Sequence, residues 1–280
     1  MAYLNEVEGI EIQKIMKFLP ESIIDEYKDT PGYEFYQIED KGENIGVIAC
    51  MPDNENIWIR YVYIVPYMRG QGIMNRSLDQ LSVMFWGDGY QRMMIRYVPF
   101  MNPEFKSYCE SSDYINVHNG SAFFEFNLID VVRAQALKGE PRNVIMLGDL
   151  SLTKRNELYE KIKNSGIALI DFDNIEKRYL INYSLVYVEN NKPSGLVLLE
   201  KNASDGLGIA LFYLASGKAT AAYYMIIGLK KVLENYFSLE TKLSFFCRNP
   251  YLTRLLEKML ETKGYREVIS ELDLNTLDKY

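Results

Sequence analysis

The feature that most constrains this chain is an internal echo at a fixed spacing. Gly70 and Gly217 lie 147 residues apart, and the dipeptides Asn102-Pro103 and Asn249-Pro250 are separated by the same 147. The loop, helix and strand between these markers therefore align without a gap. A chain of 280 residues is comfortable for two domains of about 140. The pattern favours one plan written twice; the competing reading is one large α/β domain with accidental echoes.

Hydrophobic periodicity supports the duplication. In the first half, Ile12, Ile15, Met16 and Leu19 recur at helical spacing up to Pro20. Residues 34–38 and 45–51 alternate like strands around a polar, Gly-containing turn, and residues 57–65 read as a third strand. A helix is expected over 73–85 with Leu78, Leu81 and Phe85 on one face. A strand over 93–98, a short helix over 103–110 and a last strand over 122–128 follow. The second half repeats the order: helix 152–162, hairpin strands 185–188 and 196–200, strand 207–214, helix 221–235, strand 242–247 and helix 251–261. Residues 131–142, with charges, Gly139 and Pro141, are the expected linker between domains spanning 1–130 and 143–280.

One stretch carries chemistry. In Tyr61-Val62-Tyr63-Ile64-Val65-Pro66-Tyr67-Met68-Arg69-Gly70-Gln71-Gly72-Ile73-Met74, a β-branched strand meets a proline, a loop with two glycines, and a helix start. Such a loop can turn several N–H groups toward one point, because glycine permits the backbone and leaves no Cβ in the way. The helix N-terminus adds unpaired N–H groups and partial positive charge. The expected product is a pyrophosphate cradle, with Arg69 stiffening the loop or adding a cation. The triplet Gly-Lys-(Ser/Thr) of a nucleotide P-loop is absent.

This stretch resembles the acetyl-CoA signature of the GNAT (GCN5-related N-acetyltransferase) superfamily, (Arg/Gln)-x-x-Gly-x-(Gly/Ala) after a strand and a proline. Arg69, Gly72 and Met74 occupy the three defined places, and Met74 departs from the expected small residue. The resemblance implies an α/β (α+β) fold of two tandem GNAT-like domains, each a mixed, mostly antiparallel sheet flanked by helices. It implies acetyl-CoA as co-substrate, held by Ile64, Val65, Arg69, Gly70, Gln71, Gly72, Ile73, Met74 and Asn102. In such proteins the backbone matching Ile64 and Val65 pairs with pantetheine and polarises the thioester carbonyl. Many relatives place a thiolate-protonating tyrosine seven residues after the asparagine. Here that place is Cys109, with Tyr108 one residue earlier. Either can be the acid, or Tyr108 is a packed helix residue. Glu55 stands in the region where relatives often keep an acidic residue; it is a base or a solvated loop glutamate, and a water relay through Tyr61 or Tyr63 is the alternative. Tyr61 and Tyr63 share one strand face.

At the matching loop the second half reads Ser216-Gly217-Lys218-Ala219-Thr220-Ala221. Arginine becomes Ser216 and the closest-approach glycine becomes Ala219, so this copy resembles the family with a decayed cofactor site. Its expected role is structural or a wall of the substrate cleft; the alternative is that Lys218 and its small neighbours still hold a phosphate.

Composition narrows the partners. The net charge is −7 without a dense basic run, which argues against nucleic acid and against a tRNA-dependent aminoacyl-transferring relative. Cys50, Cys109 and Cys247 are scattered and His118 is the single histidine, so neither a zinc site nor a disulfide framework is expected. With no leader pattern and no long apolar run, the expectation is a cytoplasmic protein, monomer or homodimer, without metal or membrane partner. It would act on a primary amine of a small molecule or peptide. The competing reading is a catalytically silent CoA-binding or scaffolding protein.

Overall fold

A computed structural model describes residues 3–7, 11–29, 32–166, 170, 172, 174–202, 206–215 and 217–279. The chain divides into two units, Met1–Asn119 with Glu267–Tyr280, and Gly120–Arg266.

The first unit opens with strand β1 (Tyr3–Glu6), helices α1 (Ile12–Ile15) and α2 (Glu21–Asp29), and strands β2 (Glu34–Asp40), β3 (Glu43–Asp53) and β4 (Asn56–Ile64). Pro20 separates the two helices. Lys41 and Gly42 both have positive φ, the backbone of a two-residue hairpin turn. Helix α3 (Ile73–Gly87) then crosses to β5 (Arg92–Tyr97), followed by α4 (Pro103–Ser111) and β6 (Ile115–Val117). Leu78, Leu81 and Phe85 form the fully buried stripe of α3, as their spacing requires. They pack with Ile45, Ile48, Ile57, Met93 and Ile95 on one sheet face. The other face carries Phe35, Val47 and Ala49 against Ile12, Ile15 and Ile23, with Tyr61 and Tyr63 packed at its edge.

The second unit contains β7 (Ala122–Asn127), α5 (Leu128–Arg133), β8 (Val144–Met146), α6 (Leu152–Lys163), α7 (Ile175–Arg178), β9 (Leu185–Glu189), β10 (Lys192–Lys201), β11 (Leu207–Leu214), α8 (Ala219–Tyr236), β12 (Lys242–Cys247), α9 (Pro250–Leu260) and β13 (Tyr265–Arg266). The last strand, β14 (Val268–Asp273), lies in the first sheet and is followed by a 3-10 helix over Leu274–Lys279.

Sheet order is β1-β2-β3-β4-β5-β14-β6 in the first unit and β13-β7-β12-β11-β10-β9-β8 in the second. Each is a mixed sheet of seven strands, antiparallel except for β4–β5 and β11–β12. The tandem mixed-sheet fold expected from sequence is what the chain adopts.

The domain boundary differs from expectation. The strand expected over 122–128 as the last of the first half forms over 122–127 and pairs with β12 in the second sheet, and β14 occupies the matching slot beside β5. The chain thus passes between units at Asn119/Gly120 and at Arg266/Glu267, while residues 131–142 start in the last turn of α5, lie inside the second unit and include buried Leu137. Both strands alternate correctly for their slots: Ala122, Phe124 and Phe126 are buried in one, Val268, Ser270 and Leu272 in the other. Gly264 accommodates β7, because a Cβ there would sit 2.7 Å from Ala122 Cβ and 2.8 Å from the Phe124 ring.

Deleting residues 267–280 removes a central strand of the first sheet. Hydrogen exchange on that truncation is expected to show lost protection in 92–97 and 115–117, with 207–214 still protected. Protection lost only in the second unit would contradict this topology.

Candidate functional site

The site begins where two parallel strands part. β4 pairs with β5 only from Asn56/Arg92 to Ile59/Ile95. Beyond that, β4 continues for five residues against β3 alone. The register with β3 slips at Ala49/Cys50, placing Arg60 as the extra residue of a β-bulge, which adds twist where the strands diverge.

The direction of the β4 amides follows from two contacts. Val65 N–H donates to Ile45 O at 2.9 Å, and a Cβ on Gly46 would lie 2.3 Å from Tyr63 O, so Tyr63 and Val65 face β3. Backbone groups alternate along a strand. Val62 and Ile64 therefore aim their N–H and C=O groups at the opening toward β5. Val65 was expected to pair with the cofactor alongside Ile64; its amide is instead engaged by β3, and Val62 is the second residue whose backbone faces the opening.

The loop closes one end of the opening. Arg69 Nε donates to Ile64 O at 2.8 Å, and its guanidinium lies 5.5 Å from the Tyr63 ring centroid. Arg69 thus ties the loop to the strand end. Gly70 and Gly72 have φ of +74° and +69°. Gly72 is the left-handed residue immediately before α3, and a Cβ on Gly70 would meet nothing within 4 Å. The loop is thus open on the side where a ligand would approach. Arg76, one turn into α3, donates from Nη1 to Gln71 O at 3.0 Å and supports the loop from the helix. Sequence reading missed it; its place four residues after Gly72 was the available signal.

Val62, Ile64, Arg69, Gly70, Gly72, Ile73, Met74 and Asn102 line a cleft of about 600 Å³ with Asn75, Glu104, Phe105 and Ser107. This is within the size of ordinary ligand sites. Met74 is half-buried and packs against the core. Asn102 stands across from the loop, its Nδ2 donating to Val98 O at 3.3 Å. Gln71 is exposed, with Nε2 reaching back to Tyr67 O at 3.5 Å.

The three acid–base candidates are not in this cleft. Tyr108 is buried, and its hydroxyl donates to Asp79 Oδ1 at 2.9 Å beneath α3. Burial, with the Asp79 carboxylate beside it, holds that hydroxyl far above the usual phenol range. Cys109 faces the core near Tyr97 and Ser270, and burial pushes its thiol up. Glu55 precedes β4 at the closed end of the divergence, its backbone carbonyl accepting from Gln91 N–H at 2.7 Å. Nine strand residues, roughly 30 Å, separate it from the loop. Tyr61 and Tyr63 do share a face, the one packed against α1 and α2.

The second unit repeats the divergence but not the cradle. β11 and β12 pair only over Leu207–Ile209 and Leu243–Phe245. Ser216 lies outside the described residues. Lys218, immediately before α8, has φ −72° where the first unit has left-handed Gly72, and its Nζ reaches Glu189 Oε1 at 2.6 Å. Asn249 caps α9, accepting from Tyr251 N–H and Leu252 N–H, whereas Asn102 makes no such cap. The second unit thus lacks a left-handed residue directly before its helix and uses its asparagine as a helix cap.

Among the described residues no group of three or more His, Cys, Asp or Glu side chains could hold a metal ion, and no helix is long and apolar enough to cross a membrane.

Gly72→Ala places a side chain on a left-handed backbone and is expected to cost about 1 kcal/mol of stability, read from denaturant midpoints. Gly46→Ala, which drives a Cβ into a backbone carbonyl, is expected to cost more; equal small effects would contradict the packing described. Cys50, Cys109 and Cys247 are all buried with thiols raised by burial. Native protein at pH 7 is expected to react with a disulfide reagent far more slowly than unfolded protein. Fast labelling of Cys109 would contradict its placement in the core.

Residues 7–102 match the model of the Acetyltransferase (GNAT) family. No curated protein matches the chain. Among solved structures, a tandem GNAT protein from the clavulanic acid biosynthesis pathway aligns over 98% of this chain and 99% of its own, at 10% identity and a TM-score of 0.56. A GCN5-related N-acetyltransferase from Sphaerobacter thermophilus aligns over 91% of this chain and 85% of its own, at 13% identity and a TM-score of 0.56. A protein from Enterococcus faecalis V583, described as a probable N-acyltransferase, aligns over 98% of this chain and 72% of its own, at 11% identity and a TM-score of 0.52. The glycine loop, the diverging strands and these likenesses together identify a GNAT acetyltransferase-family domain at residues 7–102, within a chain of tandem GNAT fold.

Proposed function

We propose that the first unit transfers an acetyl group from acetyl-CoA to a primary amine of a small molecule or peptide. One observation carries this reading. The Val62 and Ile64 amides face an opening whose end is built from Arg69, Gly70 and left-handed Gly72. The residues fit the co-substrate: the loop leaves open space at Gly70, the start of α3 offers unpaired N–H groups to a pyrophosphate, and Asn102 lies across the cleft. A thioester arm between β4 and β5 would meet preset N–H donors, which stabilise the negative charge that develops on a carbonyl oxygen under attack.

The reaction balances as direct transfer. The neutral amine nitrogen bonds to the acyl carbon, the carbon–sulfur bond breaks, the amine proton leaves to water or a base, and the thiolate takes a proton. Ser107, on α4 and lining the cleft, is better placed than Tyr108 to donate a hydrogen bond to the departing thiolate. Three unpaired cysteines suit a reducing, cytoplasmic setting. The binding-only reading is favoured by one fact: Glu55, Tyr108 and Cys109 all lie away from the cleft.

Calorimetric titration with acetyl-CoA is expected to show saturable binding that Gly72→Glu weakens by about tenfold or more, since it sets bulk and negative charge where a pyrophosphate would lie. A panel of amines is then expected to release free CoA thiol. No binding at millimolar acetyl-CoA would sink the reading. Binding without thiol release from any amine would favour the silent alternative.

A further inference from the structure

A second cavity among the described residues is larger than the proposed acetyl-CoA cleft. It is the opening between β11 and β12 in the second unit, about 1070 Å³ against about 600 Å³. That is at the upper end of the range for small-molecule sites. Its walls are apolar and aromatic, formed by Phe123, Phe212, Phe245, Phe246, Leu252 and Leu255.

Its charge is uneven. Three cations line it, Arg248 at the end of β12 and Arg254 and Lys258 one turn apart on α9. Arg248 lies over the Phe246 ring at 5.7 Å. Arg254 and Lys258 make no ion pair among the described residues. At the 147-residue offset, the first unit has Met101, Ser107 and Ser111 in these three places. The cations therefore belong to the second copy alone, in a chain whose net charge is −7. Glu200 is the one acid lining the opening. It reaches across Gly208 beside the paired ends of β11 and β12, away from the Arg248 end. An anion would consequently seat its head toward Arg248 and α9 and leave its body along the aromatic walls.

The mode of CoA binding in the first unit is not available here. Lys218 is drawn to Glu189, Asn249 is used as a helix cap, and no left-handed residue precedes α8 directly. We propose that the second unit binds an amphipathic anion with an aliphatic chain, its charge on Arg248, Arg254 and Lys258 and its chain between β11 and β12. A free long-chain carboxylate and a long-chain acyl thioester of CoA share that chemistry. The site is separate from the acetyl-CoA cleft and does not depend on the first unit's being a transferase.

The test is titration of the full chain with dodecanoate, dodecanoyl-CoA and acetyl-CoA. It compares wild type, Gly72→Glu, and the double variant Arg254→Ser/Lys258→Ser, which installs the first unit's own residues at exposed positions. Binding of dodecanoate that survives Gly72→Glu and falls about tenfold in the double variant supports the proposal with a free carboxylate as ligand. The same pattern for dodecanoyl-CoA, without dodecanoate binding, supports it with the thioester as ligand. The proposal is overturned if neither long-chain ligand binds. It is equally overturned if binding is lost in Gly72→Glu or unchanged in the double variant. Acetyl-CoA binding the second unit as tightly as dodecanoyl-CoA would also overturn it, because the apolar walls would then contribute nothing.

Discussion

Everything at the site depends on two parallel strands that pair for four residues and then separate. β4 is held along its length by β3, and β5 along its length by β14. The inner edges of the two strands meet only from Asn56/Arg92 to Ile59/Ile95. Full pairing on the outer edges, with a bulge at Arg60 adding twist, keeps the inner edges from closing. Unpaired amides in a sheet are normally costly. Here they form a row of donors facing a cleft, held by structure that lies outside it.

This makes the C-terminal strand part of the site's support, although it arrives some 170 residues after β5 in sequence. The same architecture recurs in the second unit with different surroundings. The second unit has the same truncated parallel pair between fully paired neighbours, β11 against β10 and β12 against β7. What differs is what surrounds the opening. Left-handed Gly72 and the Arg69 tether to Ile64 O shape the loop at the end of the opening in one unit. In the other, cations on α9 and four phenylalanines line a larger space.

Much of this was legible in the residues. Strand-like apolar runs between turn signals marked β2 to β5 and β9 to β12, and the α3 stripe of Leu78, Leu81 and Phe85 marked its buried face. The glycine loop was legible because positive φ favours glycine, and the structure has it at Gly70 and Gly72. The strand exchange was not. Alternation says that Ala122, Phe124 and Phe126 form a half-buried strand, but two repeated sheets offer two equivalent slots, and local pattern cannot choose between them. The acid–base residues failed for a related reason. Counting from Asn102 locates a helix position without its rotation, and α4 turns Tyr108 onto Asp79 and leaves Ser107 facing the cleft. Glu55 was placed near the strand correctly but at its far end.

The amide directions in β4 test the account most directly. Residue-resolved hydrogen exchange, with and without saturating acetyl-CoA, should show Tyr61, Tyr63 and Val65 protected in both states. Val62 and Ile64 should exchange quickly alone and become protected with the ligand. Protection that appears only in the second unit, or that leaves Val62 and Ile64 unchanged, would contradict the claim that the opening between β4 and β5 is where the thioester is held.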